Sequence, residues 1–419
     1  MESKPLEIAS FQPTEPIRIR HATLESFAFW STICGVFAGS QGINFSHFTL
    51  RPFYGVAIVN LILFTVIVGY RKLPAWAIYL FSYLALSGVI GIVNGTSTVL
   101  LVMKSLVGMT VSAFYYFYFF KMENNSFERA FLAYTEVAVW FAAAALPIWI
   151  IENILDHKYI RLHGLLREPE MFSLIILPAT YWHANQALKN HKSWPKAALL
   201  LLTLILANSS LGFIGLLFAA TLLMSKTKSR LLILPLIVCS AAFLMYTFSP
   251  EFQRRTTDTI LSISSQDLSQ ANLSTYALLS NAYVVQQVIE RDPLLGNGLG
   301  SHSISHATYV SQVPGYEIVA SRGDQDLQAD DSGSLLLRVL SDLGLVGISV
   351  VLIFLVHFYV GGASMNSDIC RAILVCFFVK LIRDGTYFNP EQFFFIYIYI
   401  LNYRDWRKGS SSQLSEALA

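Results

Sequence analysis

Long apolar runs, each close to the length of a bilayer crossing, set the rhythm of this chain. A helix needs about 20 apolar residues to cross roughly 30 Å of hydrocarbon. By that ruler, runs fall near 26–43, 53–70, 74–93, 97–120, 129–151, 171–188, 197–225, 231–248, 334–360, 369–383 and 389–403. The run at 197–225 is interrupted by Asn208, Ser209, Ser210, Gly212 and Gly215. It can be one long tilted helix or two short ones. Loop charge favours the pair, because cytoplasmic loops collect Lys and Arg. A hairpin there puts Arg71 and Lys72, Lys121 and Arg129, Lys189, Lys192 and Lys196, and Lys226, Lys228 and Arg230 on the side of Arg404, Arg407 and Lys408. The pattern predicts an all-α, polytopic helical membrane protein with about 12 transmembrane segments and both termini cytoplasmic. Its parts are a cytoplasmic segment 1–25, membrane helices over 26–248 including the broken pair at 197–225, one large extracytoplasmic loop over 249–331, three more membrane helices over 332–403 and a cytoplasmic tail 404–419. Asn208, Ser209 and Ser210 are expected to face a buried or wet interior, since a polar break at membrane depth needs cover.

The large loop carries ten acids against four bases, and a structureless loop of that length is uncommon. Leu273, Tyr276, Leu279, Tyr283, Val284 and Val288 recur at helical spacing up to Arg291-Asp292-Pro293, where proline ends the run. This predicts an amphipathic helix. Gly296, Gly298 and Gly300 follow it. A dinucleotide fingerprint must follow a strand and open a helix, so the glycines are read as a tight turn. They argue against a helix at His302 and His306, which are then loop histidines at the surface. The Ser-rich end, Gly409–Ala419, is expected to be disordered.

Composition sharpens this. The 419 residues are 54% hydrophobic but only 13% charged, and soluble domains carry about 25% charge. A soluble globular enzyme is excluded. A net charge of +2 gives no nucleic-acid footprint. Cys34, Cys239, Cys370 and Cys376 lie in or beside apolar runs without metal-ligand spacing and read as packing residues. The first apolar run follows a long polar segment and carries only a weak cleavage-like site at Ala38-Gly39-Ser40, so it is expected to be a retained span and not a cleavable leader. No internal repeat is present, a feature that many transporters show.

The residues able to do chemistry lie in the loops. Arg161, His163, Arg167, Glu168 and Glu170 crowd one short outer loop. Arginine forks match phosphate oxygens in pairs, so the loop suits an anionic lipid headgroup; a solvated loop of local salt bridges is the alternative. Asp330-Asp331-Ser332 precedes the span that contains Arg338. A carboxylate there is a candidate general base and equally a helix N-cap. Asp324 and Asp326 read as a solvated charge run. Within the runs, Lys104, Glu136, Asp342, Lys380, Arg383 and Asp384 need partners or water. Lys380 and Arg383 lie near a span end and are expected to snorkel outward.

Three stretches together resemble the bacterial O-antigen polymerase and O-antigen ligase superfamily, membrane enzymes acting on undecaprenyl-diphosphate-linked glycans. They are Arg161-x-x-Gly164 with Glu168-Pro169, then Ala207–Gly212, then Glu290-x-x-Pro293 through Gly300 with Asp331 and Leu343–Gly347. Ligases of that superfamily place a histidine with a neighbouring asparagine where this chain has Asp330–Ser334, which turns the expectation towards a polymerase. The resemblance implies a metal-independent, inverting glycosyltransferase without cofactor, in the bacterial inner membrane, whose substrate is an undecaprenyl-diphosphate-linked oligosaccharide. It further implies a flippase and a chain-length regulator as partners. Arg161, Arg167, Arg291, Arg254 and Arg338 are the candidates to hold the diphosphate, and Asp331, then Asp330 or His302, to accept the hydroxyl proton. A ligase or a non-enzymatic flippase is the alternative.

Overall fold

The computed structural model describes residues 15–38, 43–44, 49–50, 52–69, 71–72, 74–122, 125–156, 160–224, 240, 243, 246–247, 250–265, 268–269 and 271–418. Helices are α1 (Glu15–Val36), α2 (Pro52–Val68), α3 (Ala75–Val93), α4 (Val99–Phe119), α5 (Phe127–Asp156), α6 (Pro169–Lys189), α7 (Trp194–Ala207) and α8 (Ser210–Met224). After these come α9 (Pro250–Ser265), α10 (Leu273–Arg291), α11 (His302–Tyr309), α12 (Tyr316–Ala320), α13 (Leu335–His357), α14 (Met365–Ile382) and α15 (Pro390–Leu418). Between α1 and α2, two-residue strands pair Ile43 with Leu50 and Asn44 with Thr49, antiparallel.

Four helices among the described residues, α3, α4, α13 and the stretch Phe127–Leu155 of α5, are long and apolar enough to cross a membrane. Their outer faces carry exposed Tyr79, Val93, Leu100, Trp140 and Val356, an ordinary surface in hydrocarbon and an aggregation hazard in water. The protein is therefore an all-helical chain with the character of a membrane protein. Helices occupy the predicted runs apart from 231–248, most of which lies outside the described residues.

Helix boundaries depart from hydropathy at both ends. α1 begins at Glu15, inside the expected N-terminal segment, and α15 continues through the Ser-rich tail to Leu418. Apolarity reports which part of a helix prefers lipid, while backbone hydrogen bonding runs on into polar flanks: Pro16 falls in the first turn of α1, where its missing amide is not needed, and no proline interrupts 409–418.

α6 is the centre of the bundle, packed by α5, α7, α8 and α14. Ser173 and Thr180 are buried in it and donate to the Pro169 and Ile176 carbonyls in the preceding turn, so their hydroxyls need no external partner. The 197–225 run is two helices, broken where Asn208 takes φ 44°. Asn208 and Ser209 are buried as expected, whereas Ser210 is exposed, one residue into α8 where the helix turns it outward.

The region from 250 to 331 has elements of its own. α10 ends before Asp292-Pro293 as the sequence predicts, with Tyr276, Val284 and Val288 buried; Leu273, at its first position, is exposed instead. The glycine turn after it enters the bundle. Gly344, at φ 61° and ψ −156°, breaks α13, and the amides freed there are met by the turn: Leu345 N donates to Pro293 O at 2.9 Å and Val346 N to Leu294 O at 3.1 Å. In return Asn297 N donates to Ser341 O at 2.9 Å. Irregular backbone at this depth survives because two irregular segments satisfy each other.

Gly298, at φ 93°, packs against α3 so closely that a Cβ would overlap Gly91 Cα and Ser87 O. Gly298→Ala is expected to destabilise the protein by about 2 kcal/mol or more, combining backbone strain with overpacking. Gly323→Ala, at φ 77° but facing open space, should cost only about 1–2 kcal/mol. Comparing the two unfolding curves in detergent checks the difference.

Candidate functional site

The charged residues that the sequence scatters over 200 positions gather at one end of the bundle. Two tight turns meet there. Asp384 N donates to Gly333 O at 3.0 Å, and Gly385 lies so close to Asp331 that a Cβ on it would overlap the Asp331 carbonyl oxygen. The turn before α13 and the turn after α14 are thus locked backbone to backbone.

Asp331 sits at this junction. Its Oδ1 accepts from Gly333 N at 3.0 Å and its Oδ2 from the Thr386 hydroxyl at 3.5 Å. Burial pushes its carboxyl above the ordinary value; Gly333 N pulls it down, Asp384 pushes it up, and Arg338 and Arg383 pull it down again without cancelling the rise. The N-cap of α13 is Ser334, which accepts from Leu337 N at 3.3 Å. The cap reading of Asp330-Asp331-Ser332 is corrected accordingly: Asp331 caps its own turn and Asp330 is exposed.

Arg338 is buried. It donates through Nη1 to Gly385 O at 3.1 Å, lies over the Tyr387 ring at 4.4 Å and has Nε 3.6 Å from Asp342 Oδ2. Asp342, fully buried, is fully employed: it accepts from Gly300 N, the Ser301 hydroxyl, His302 N and the Tyr387 hydroxyl, at 3.1–3.2 Å. It anchors the start of α11 to α13, and its charge is offset by Arg338.

Arg383 clamps three elements. Its Nε donates to Glu170 Oε2 at 3.0 Å at the start of α6, and Nη2 to the Ser274 hydroxyl at 2.9 Å at the start of α10. Lys380, one turn back, is fully buried between Asp384 Oδ2 at 2.6 Å and Glu391 Oε1 at 2.9 Å. Burial alone would raise the Asp384 carboxyl, but Lys380 outweighs it and holds it below the ordinary value. The expected snorkelling of Lys380 and Arg383 is corrected: both turn inward, because acids one turn away and on neighbouring elements lie closer than water.

Beside these acids lies a small recess lined by Phe37, Leu166, Met171, Ile175, Asp384 and Glu391, with room in this conformation for about one water molecule. The loop holding Leu166 is pinned in place. Leu162 N donates to Leu206 O at 3.1 Å, Trp149 Nε1 to Ile160 O at 2.6 Å, and Arg161 Nη1 to Asn208 O at 3.5 Å. Arg161 is thereby drawn to the α7–α8 break, and Arg167 stays exposed on the same loop.

Of the five predicted arginines, Arg338 alone is among the charges that act on Asp331, and Arg383 joins it. Arg291 is exposed with its guanidinium over the Tyr309 ring at 5.1 Å, and Arg254 is exposed on α9. His302 and His306 lie on a helix and are buried, contrary to the loop reading, because the glycine turn ends at Gly300 and Asp342 caps the helix start. The His302 imidazole meets Asn281 Oδ1 at 2.8 Å through Nε2. Burial, then Arg338 and His306, keep it well below its ordinary pKa, so it is neutral. Among the described residues no group of three His, Cys, Asp or Glu could hold a metal ion. Cys370 and Cys376 are buried as packing residues, Cys34 is exposed, and Cys239 lies outside the described residues.

Sequence reasoning passed over Glu391. It stands inside an apolar run, the same signal that singled out Lys380, its partner. Glu170 and Ser274 offered no such signal. No protein-family model, curated protein or solved structure matches the chain.

Proposed function

We propose that the protein is a polymerase of lipid-linked glycan repeat units, acting on the outer face of a bacterial cytoplasmic membrane at the end of the bundle where Asp331, Arg338 and Arg383 meet. One observation carries this reading: the locked turns set a carboxylate of raised pKa beside two arginines, next to a recess with apolar walls. A diphosphate leaving from a sugar, on a lipid carrier, needs that combination of base, cation and greasy wall.

In the step proposed, a hydroxyl oxygen of one repeat unit attacks the anomeric carbon of another. Its proton passes to Asp331, the bond from the anomeric carbon to the diphosphate oxygen breaks, and undecaprenyl diphosphate departs with the electron pair. Arg161 and Arg167, from the loop beside the recess, meet the growing negative charge, and Arg338, tied to Asp342 and the Gly385 carbonyl, adds its positive field from within the bundle. Arg291 and Arg254 are further candidates on α10 and α9. Arg383, whose donors are taken by Glu170 and Ser274, is a positioning residue. Asp331 is preferred as base over exposed Asp330 and over His302, which is sealed against Asn281. The step as written uses no metal or cofactor. About twelve membrane segments with both termini inside, and a flippase and chain-length regulator as partners, belong to the same proposal.

A strain lacking the protein is expected to carry surface glycan of a single repeat, restored to full length by the intact gene. Loss of all surface glycan would instead indicate a flippase, and long lipid-linked chains left untransferred a ligase; either outcome contradicts the polymerase reading.

A further inference from the structure

At the opposite end of α6 and α14 the two helices are joined by Lys189 Nζ on Asp368 Oδ2 at 2.5 Å. Beside that pair Arg371 is only 6% exposed, yet its Nε and Nη1 have no hydrogen-bond partner. The Tyr181 hydroxyl lies within electrostatic reach of the Arg371 guanidinium and is also unpartnered. So is the Asn185 amide nitrogen, one turn along the same face of α6. Tyr181 is 1% exposed and Asn185 4%.

Buried polar atoms nearly always find partners, and a buried donor left unbonded carries its full desolvation cost. Each of these orphaned atoms carries a proton to donate. What these atoms lack is acceptors: the Asp368 carboxylate, one turn away on α14, holds Lys189. Tyr359, which acts electrostatically on Tyr181, is itself exposed.

We propose that Arg371, Tyr181 and Asn185 form a binding site for a phosphate group between α6 and α14. A guanidinium fork with two further donors matches the several oxygens of a phosphoryl group better than the two of a carboxylate. The site is separate from the one assigned to glycan transfer, since Arg371 and Arg383 stand about 18 Å apart along the helix axis. It stands whether or not the polymerase reading does. The phosphate comes from a lipid headgroup or from a free anion, and the test distinguishes them.

Full-length protein in detergent is titrated with phosphatidylglycerol or with inorganic phosphate, followed by native mass spectrometry and thermal unfolding. At least one probe is expected to bind the wild type, and Arg371→Gln to bind it at least about tenfold more weakly. Tyr181→Phe, which keeps the ring and the fold, should weaken binding about threefold. Binding of phosphatidylglycerol alone identifies a lipid headgroup as the ligand; binding of inorganic phosphate identifies the free anion. If neither probe binds, or if folded Arg371→Gln or Tyr181→Phe binds as the wild type does, the site does not exist. Should Arg371→Gln fail to fold, Tyr181→Phe decides alone.

Discussion

Replacing Lys380 with methionine is expected to destabilise the protein by about 3–5 kcal/mol, the cost of leaving buried charge without its partner. The Lys380 side chain is fully buried, with Asp384 9% and Glu391 6% exposed. Methionine nearly fills the volume of lysine, so packing contributes little, and the loss comes from two carboxylates facing each other without a cation. Burial leaves them little water to take its place. The sign with pH follows. Lys380 holds the Asp384 carboxyl below its ordinary value, so this part of the stability is present above the unfolded pKa and is lost as pH falls through the folded one. In Lys380→Met the loss should ease in acid, where the orphaned carboxylates take up protons. Lys380→Met combined with Asp384→Asn and Glu391→Gln should recover most of the stability, since a neutral hydrogen-bonded group costs far less to bury than an unpaired charge. Unfolding in detergent measures all three proteins. A single mutant as stable as the wild type would contradict the inward placement of Lys380.

Asp331→Asn is expected to lower the rate of chain growth at least about 100-fold, the low end of what a positioned general base supplies, while the fold survives. Asparagine keeps an oxygen at the Oδ1 position to accept from Gly333 N at 3.0 Å, and gives up only the longer 3.5 Å contact of the Thr386 hydroxyl with Oδ2. What it loses is the capacity to take a proton. The wild-type rate should rise with pH through a midpoint above the ordinary carboxylate value, because burial raises Asp331 and the base works only when ionised. The residual rate of Asp331→Asn should lose that dependence. A rate-against-pH series with purified protein and lipid-linked repeat unit separates the two. A wild-type profile with no acid limb would remove Asp331 from the role of base even if the mutant were slow.

Much of the fold is legible in the sequence because hydrophobic length and proline placement are local quantities. The end of α10 at Asp292-Pro293 and the break at Asn208 follow from the residues on the spot. The candidate site is less legible, because it is built from backbone meetings between distant turns. Nothing near Gly385 announces that the Asp331 carbonyl lies against it. Nothing near Gly344 announces that Pro293 and Leu294 will satisfy its broken turn. Arg383 was visible as an intramembrane charge, yet its work depends on Glu170 and Ser274, both remote in the chain. The histidines show the opposite error: three glycines outweighed the helical spacing of His302 and His306, while the decisive residue, Asp342, sat in another helix.

The polymerase reading requires Asp331 and its arginines to face the outside of the cell, where a lipid-linked repeat unit awaits transfer. A single cysteine introduced at Ser321, exposed in the turn after α12, can be challenged with a membrane-impermeant thiol reagent in intact cells, with the unsubstituted chain as the background. The expected result is labelling of intact cells at the level seen after lysis. Labelling that appears only after lysis would put this end of the bundle in the cytosol and contradict the account.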